Sequence, residues 1–228
     1  FLFVVGTPPR DILDIQQVWK VDKTSYSNIS ADKRFEPRDV MMNANGKTFK
    51  INSAITGHGQ QGEFTAQNHW VNLDGGSSEF DWQVWTECAE NPIYPQGGTW
   101  IYDRAGWCPG MATDIAELDI TSYVTAGQTT QIDYGVTTAS GASDYIVSHQ
   151  LVTYGEANHT LDAAVTDIIT PTNKVEYGRI GSICKNAIVE IQNTGSDSLT
   201  SLTINYWVNN APTPEVYNWT GSLAFMEK

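Results

Sequence analysis

Phe49, Ile51 and Ile55 alternate with Lys50, Asn52 and Ala54 directly after the turn dipeptide Asn45-Gly46. Successive side chains point to opposite faces only in an extended chain, so this two-residue rhythm behind a hairpin turn commits the segment to a strand with one buried face. The rhythm recurs at Ala116, Leu118 and Ile120, at Ile132, Tyr134 and Val136, and along Tyr145 to Tyr154. No segment carries a sustained 3.6-residue period, which excludes a helical bundle. Short strands punctuated by Gly, Asn and Pro, in a chain that is 40% apolar, predict an all-β protein built on antiparallel β-sandwiches. Jelly-roll and immunoglobulin-like topologies are the leading choices.

Charge narrows the partners. Lys plus Arg number 13 against 26 Asp plus Glu, a formal net charge of −13, and no basic run occurs. Nucleic acid and polyanionic ligands are excluded, because counterion release needs clustered cations. No stretch approaches the ~18 apolar residues of a membrane-spanning helix, so no membrane insertion is expected. Phe1 to Val5 is too short for a signal-peptide core and reads as a strand entered in mid-course, which suggests a cut N-terminus.

An internal echo sets the expected boundaries. Leu2 to Gly6, a polar linker and Leu13-Asp14-Ile15 are mirrored by Leu151 to Gly155, a linker and Leu161-Asp162-Ala163. On this reading residues 1–10 are the closing strand and linker of a preceding domain, 11–156 form one complete sandwich, and 157–228 open a third module. That module, with strands expected at Ala187 to Gln192 and Leu202 to Val208 around a turn at Asn193-Thr194-Gly195, is short of the ~100 residues of an immunoglobulin domain and is therefore partial.

The most specific local feature is Trp100-Ile101-Tyr102-Asp103-Arg104-Ala105-Gly106-Trp107-Cys108-Pro109-Gly110. Two Gly and a Pro break strand periodicity around an Arg and large aromatics, as in a loop shaped to present side chains. A Cys88–Cys108 disulfide would enclose 19 residues and stabilise by roughly 3 kcal/mol, implying an oxidising compartment; two reduced buried thiols are the alternative. Cys184 has no obvious mate and would pair beyond this chain if it pairs at all.

Asn91-Pro92-Ile93, Gly98-Thr99-Trp100 and Asp103 to Gly110 resemble the second jelly roll of the peptide-N-glycosidase F family, over roughly residues 2–154. Gly6-Thr7-Pro8 resembles that family's link between jelly rolls, and Ile55-Thr56-Gly57-His58-Gly59 its Gly/His strand end. Glu63-Phe64 falls where the family carries an active-site Glu-Trp. The resemblance implies a secreted bacterial amidase acting on N-linked glycoproteins without a cofactor, with Glu63 as a catalytic carboxylate and Arg104, Trp107 and His58 lining the glycan cleft. These residue types suit that chemistry: a carboxylate activates water or protonates a leaving nitrogen, and indole faces with fixed donors hold sugars. Two departures stand out. Gln61 and Thr65 replace cysteines that flank the family's Glu, and the family's principal catalytic Asp lies in the first jelly roll, of which this chain would hold only the last strand. Cys184 to Ala187, Ile191 to Ser196 and Tyr217 to Leu223 resemble adhesion-type immunoglobulin-like repeats of large secreted Bacteroidetes proteins, which serve as spacers.

Each candidate has a plainer reading: Glu63 as a solvated loop carboxylate, Arg104 paired with Asp103 or a loop carbonyl, Trp107 as a core plug. Two other functions compete. One is a non-catalytic secreted or cell-surface protein that uses the scaffold for adhesion or glycan binding, alongside further domains of a larger polypeptide. The other is a copper-dependent monooxygenase, which shares the paired jelly-roll architecture. Its ligand set is not visible: His58 and His69 are eleven residues apart with no His-x-His, Met41-Met42 is isolated, and His149 lies on the apolar Tyr145, Val147, Leu151 face, as a core histidine would. No metal is therefore expected.

Overall fold

The computed structural model of the chain describes residues 5–77, 79–91, 96–137, 142–174, 177, 186–209 and 211–228. In chain order its elements are β1 (Arg10–Ser25), α1 (Tyr26–Ile29), β2 (Arg38–Met41), β3 (Thr48–His58), α2 (Gly59–Glu63), β4 (Gln67–Leu73), β5 (Phe80–Val84), β6 (Ile115–Asp119), β7 (Thr129–Val136), β8 (Asp144–Ala157), β9 (Ala163–Thr170), β10 (Ile188–Asn193), β11 (Leu199–Tyr206) and β12 (Glu215–Leu223). The protein is all-β with antiparallel sheets, as the alternation predicts. It separates into two compact units, Ile12–Gly155 and a second made of Phe1–Asp11 with Glu156–Lys228. Among the described residues no helix is long and apolar enough to cross a membrane.

The first unit is a pair of four-stranded sheets, ordered β1-β8-β3-β6 and β2-β7-β4-β5. β3 is its central strand, in register with β8 from Thr48↔Tyr154 to His58↔Asp144 and with β6 from Lys50↔Asp119 to Ala54↔Ile115. Phe49, Ile51, Ser53, Ile55 and Gly57 are buried and the residues between them are half-buried, the period of two carried through the whole strand. Ile51, Val71, Ile132 and Leu151, each fully buried, meet in one core between the sheets. Burying each such side chain contributes about 1.5–3 kcal/mol. β1 departs from expectation: Ile12, Leu13 and Ile15, the apolar residues that announce it, are exposed, whereas Val18 and Trp19 further along are buried.

The centre of this core is aromatic and polar. Trp19, its Nε1 donating to the Glu36 carbonyl at 3.1 Å, packs edge-on to His149 with ring centroids 5.2 Å apart. His149 also meets Tyr134 at 4.8 Å, and His69 shares a 2.8 Å hydrogen bond between its Nδ1 and the Tyr134 hydroxyl while its ring stands edge-on to Tyr145 at 4.9 Å. Both histidines are fully buried, and among the described residues no partner reaches Nε2 of His69 or either ring nitrogen of His149. Burial holds both pKa values down to about 3, far from the ordinary 6.5.

In the second unit β9 pairs with β10 and β11 with β12, both antiparallel. The expected turn at Asn193-Thr194-Gly195 is present and has a structural centre. Asn193, fully buried, donates from Nδ2 to the carbonyls of Asp197 and Leu223 at 2.8 and 2.9 Å and accepts from the Gly195 N–H at 3.0 Å, fastening the end of β10 to the end of β12. Cys184 lies outside the described residues.

The buried histidines fix the acid response of the first unit. Unfolded, each takes a proton near pH 6.5; folded, it resists until about pH 3. Their contribution is therefore intact above pH 6.5 and lost as pH falls through that window, by about 1.4 kcal/mol per pH unit for each histidine. Urea unfolding between pH 6 and 5, above the carboxylate range, should show this slope, and His149→Leu should roughly halve it; an unchanged slope would contradict the assignment.

Candidate functional site

At one end of the sandwich the backbone is stitched together by a segment that belongs to neither sheet. Gly57 N, near the end of β3, donates to the Ala105 carbonyl at 2.9 Å, and Ala105 N donates to the Glu63 carbonyl at the end of α2 at 3.0 Å. Arg104 exchanges two hydrogen bonds with Thr86, at 2.8 and 3.1 Å. Two glycines make these approaches possible. A Cβ on Gly57 would run into the Gly62 carbonyl oxygen. Gly106 has φ +75°, and a Cβ there would strike the Ile55 carbonyl oxygen.

Arg104 is 3% exposed and every nitrogen of its guanidinium is engaged. Nε donates to Glu63 Oε1 at 2.8 Å, Nη1 to the Tyr102 carbonyl at 2.7 Å, and Nη2 to the Thr99 carbonyl and Oγ1 at 2.8 and 3.0 Å. The Phe64 and Trp107 rings each lie 5.2 Å from the guanidinium carbon. Trp107 Nε1 donates to the Gly57 carbonyl at 3.1 Å, and its ring stacks on His58 at 5.8 Å. His58 Nε2 bonds Thr56 Oγ1 at 2.8 Å; burial, with Lys23 as a smaller cause, lowers its pKa, which favours the neutral imidazole. Glu63, Arg104, Trp107 and His58, 49 positions apart in sequence at the extremes, thus form one run of contacts.

The plainer readings of these residues change accordingly. Glu63 ends a short helix and is held by Arg104 rather than free in a loop. Arg104 does bind loop carbonyls, yet its acidic partner is Glu63; Asp103 instead accepts the Cys88 N–H at 3.1 Å. Trp107 is half-buried and bridges Arg104 and His58. Cys88 and Cys108 form a disulfide, with Cα atoms 5.4 Å apart, so the reduced-thiol alternative does not hold.

Beside the pair opens a cavity of about 580 Å³ lined by Gln60, Phe64, Trp85, Thr99, Tyr102 and Asp103, together with Ile101. Its size falls in the range of ~300–1,000 Å³ common for small-molecule sites, and aromatic walls with a few polar groups suit an amphiphilic ligand such as a sugar. Sequence reasoning missed Trp85, Tyr102 and Thr99 as part of this wall. Trp85 carries no motif, and Thr99 acts largely through its backbone carbonyl, which no residue type advertises. Among the described residues no group of three or more His, Cys, Asp and Glu is placed to hold a metal ion.

The burial of Arg104 makes the pair asymmetric. Replacing it strands two carbonyls, a hydroxyl and a carboxylate, so Arg104→Met should cost about 3 kcal/mol and Arg104→Lys somewhat less, since one ammonium cannot serve four acceptors. Glu63→Gln keeps an oxygen to accept from Nε but strips the buried guanidinium of its counter-charge, so it should cost about 2 kcal/mol, less than Arg104→Met. Urea unfolding followed by tryptophan fluorescence measures all three; equal losses would contradict the asymmetry. Converting both Cys88 and Cys108 to Ala should remove about 3 kcal/mol, from the loop they close.

Comparison with known proteins gives a consistent picture. A sequence model described as peptide-N-glycosidase F, C terminal, matches residues 25–153, more than half of the chain. The peptide-N(4)-(N-acetyl-beta-D-glucosaminyl)asparagine amidase F of Elizabethkingia miricola is 26% identical over 149 residues, 59% of this chain and 42% of that protein. The chain therefore spans less than half the length of this relative. Among solved structures, PNGase F from Flavobacterium meningosepticum superposes with a TM-score of 0.53 at 22% identity, covering 67% of this chain and 55% of that one. A recombinant PNGase F gives 0.54 at 23%, with the same coverage. These last two establish the shared sandwich fold. With its sequence matched across most of the first unit, the chain belongs to the peptide-N-glycosidase F C-terminal family.

Proposed function

We propose that this chain is the second jelly roll and following segment of a secreted amidase that hydrolyses the bond between N-acetylglucosamine and asparagine in N-linked glycoproteins. The observation that carries the reading is the Glu63–Arg104 pair set beside an aromatic-walled cavity of about 580 Å³. In the reaction water adds to the asparagine side-chain carbonyl, the C–N bond breaks, and the departing nitrogen takes a proton, leaving aspartate and a glycosylamine. Glu63, one residue before the cavity-lining Phe64, is the carboxylate that would hold or move that proton. Arg104 is a positioning residue: with its nitrogens committed to protein acceptors, it orients Glu63 and the loop at Thr99 and Tyr102. Phe64, Trp85 and Tyr102 offer faces for the sugar, and Trp107 and His58 brace the pair from behind.

The reading places a further carboxylate, the family's catalytic Asp, on a preceding jelly roll that would close the cleft, with residues 1–10 as the connection. Residues 157–228 would be an immunoglobulin-like spacer, and the Cys88–Cys108 disulfide suits an extracellular or cell-surface setting.

A second reading, glycan binding without turnover, draws support from Gln61 and Thr65, which stand where the family has cysteines, and from an Arg104 already saturated by protein groups. The copper reading finds its histidines dispersed: His69 and His149 are in the aromatic core, and His58 is bonded to Thr56.

Mass spectrometry of an N-glycopeptide treated with a protein carrying this segment behind an upstream jelly roll should show loss of the glycan and conversion of Asn to Asp. Glu63→Gln should slow release by about 10²-fold or more. Saturable glycopeptide binding with no release would favour the second reading, and full activity in Glu63→Gln would remove Glu63 from the chemistry.

A further inference from the structure

Of the residues that line the larger cavity, Asp103 alone carries a charge. Its Oδ1 accepts the Cys88 N–H at 3.1 Å, which ties the carboxylate to the disulfide at the base of the loop. Oδ2 has no hydrogen-bond partner among the described residues, and it is open to solvent rather than sealed in the protein. One oxygen is thus spent on orientation, and the other remains an acceptor.

Thr99 is the counterpart. Its Oγ1 and its carbonyl both accept from Arg104 Nη2, so the hydroxyl is held in place and keeps its proton to donate. The cavity therefore carries an anchored anionic acceptor and an anchored donor among the rings of Phe64, Trp85 and Tyr102. A neutral sugar matches that set. It lays a C–H face on the rings, gives a hydroxyl or acetamido N–H to the carboxylate in a charge-assisted bond, and offers another oxygen to Thr99. An anionic group would meet Asp103 and a net charge of −13. A cation would use Asp103 and leave the Thr99 proton unmatched, and an apolar ligand would strip water from a carboxylate without replacing it.

We propose that Asp103 is the specificity-determining residue of this cavity, its Oδ2 accepting a hydroxyl or N–H of a neutral sugar while Thr99 Oγ1 donates to another oxygen of the same ligand. The choice of a sugar rests on the amidase reading, but the contact itself requires no hydrolysis.

Isothermal titration with di-N-acetylchitobiose, which lacks the asparagine amide and cannot turn over, reads the contact by itself. A protein carrying this segment behind an upstream jelly roll should bind it saturably. Asp103→Asn leaves an amide oxygen for the Cys88 N–H and puts an NH₂ group where Oδ2 stood, so affinity should fall about tenfold while the urea midpoint stays in place. Asp103→Ala, which also strands the Cys88 N–H, should lower the midpoint as well. No binding by the unaltered protein overturns the proposal. So does equal affinity in Asp103→Asn, or a midpoint that falls in Asp103→Asn as far as in Asp103→Ala, which would reduce Asp103 to a loop anchor. Glycan release from a glycopeptide keeps the two readings apart. A protein that releases nothing, yet binds the sugar in an Asp103-dependent way, removes the amidase and keeps the contact; release with sugar binding indifferent to Asp103 does the reverse.

Discussion

A guanidinium taken almost wholly out of water is the constraint around which one end of this sandwich is organised. Desolvating such a charge costs several kcal/mol unless donors are matched and an opposite charge stands close. Arg104 receives its matches from three directions: the end of α2 through Glu63, the loop through Thr99 and Tyr102, and two aromatic faces. The double hydrogen bond to Thr86 sets the backbone so that the side chain can reach them all. A group this demanding fixes its neighbours as firmly as they fix it, which is how a carboxylate at a helix end and a loop closed by a disulfide come to share one geometry.

Strand content was legible because period-two burial is a property of side chains, and β3 displays it without interruption. β1 was less so, since Ile12, Leu13 and Ile15 are exposed while the core contribution comes from Val18 and Trp19. At the site, Glu63, Arg104, Trp107 and His58 were named from a resemblance, and the structure brings them into contact; their roles are a matter of chemistry rather than placement. What the sequence could not yield was the partner of Arg104. Proximity along the chain favours Asp103, but the turn at Gly106 and the bridge to Thr86 point the side chain toward Glu63, 41 positions away, and give Asp103 to the Cys88 amide instead.

The core tells a related story about polar residues. His149 sits on an apolar face in sequence and is buried in the structure, in the company of His69, Tyr134 and Tyr145. Histidines here act as aromatic fillers with a single shared hydroxyl contact between His69 and Tyr134. Such packing gives shape specificity and ties the fold's integrity to the neutral form of both rings.

The disulfide divides labour within the site. Gln60, Phe64 and Trp85 stand outside the loop that Cys88 and Cys108 enclose, whereas Thr99, Ile101, Tyr102 and Asp103, four of the seven residues of the cavity wall, lie inside it. A covalent staple at the loop's base isolates changes within it from the sandwich, provided Arg104 and its two carbonyl acceptors are kept. Exchange of the remaining loop residues can then reshape the cavity wall without refolding the scaffold. In evolutionary terms, the segment behaves as a replaceable cassette seated on a fixed ionic anchor.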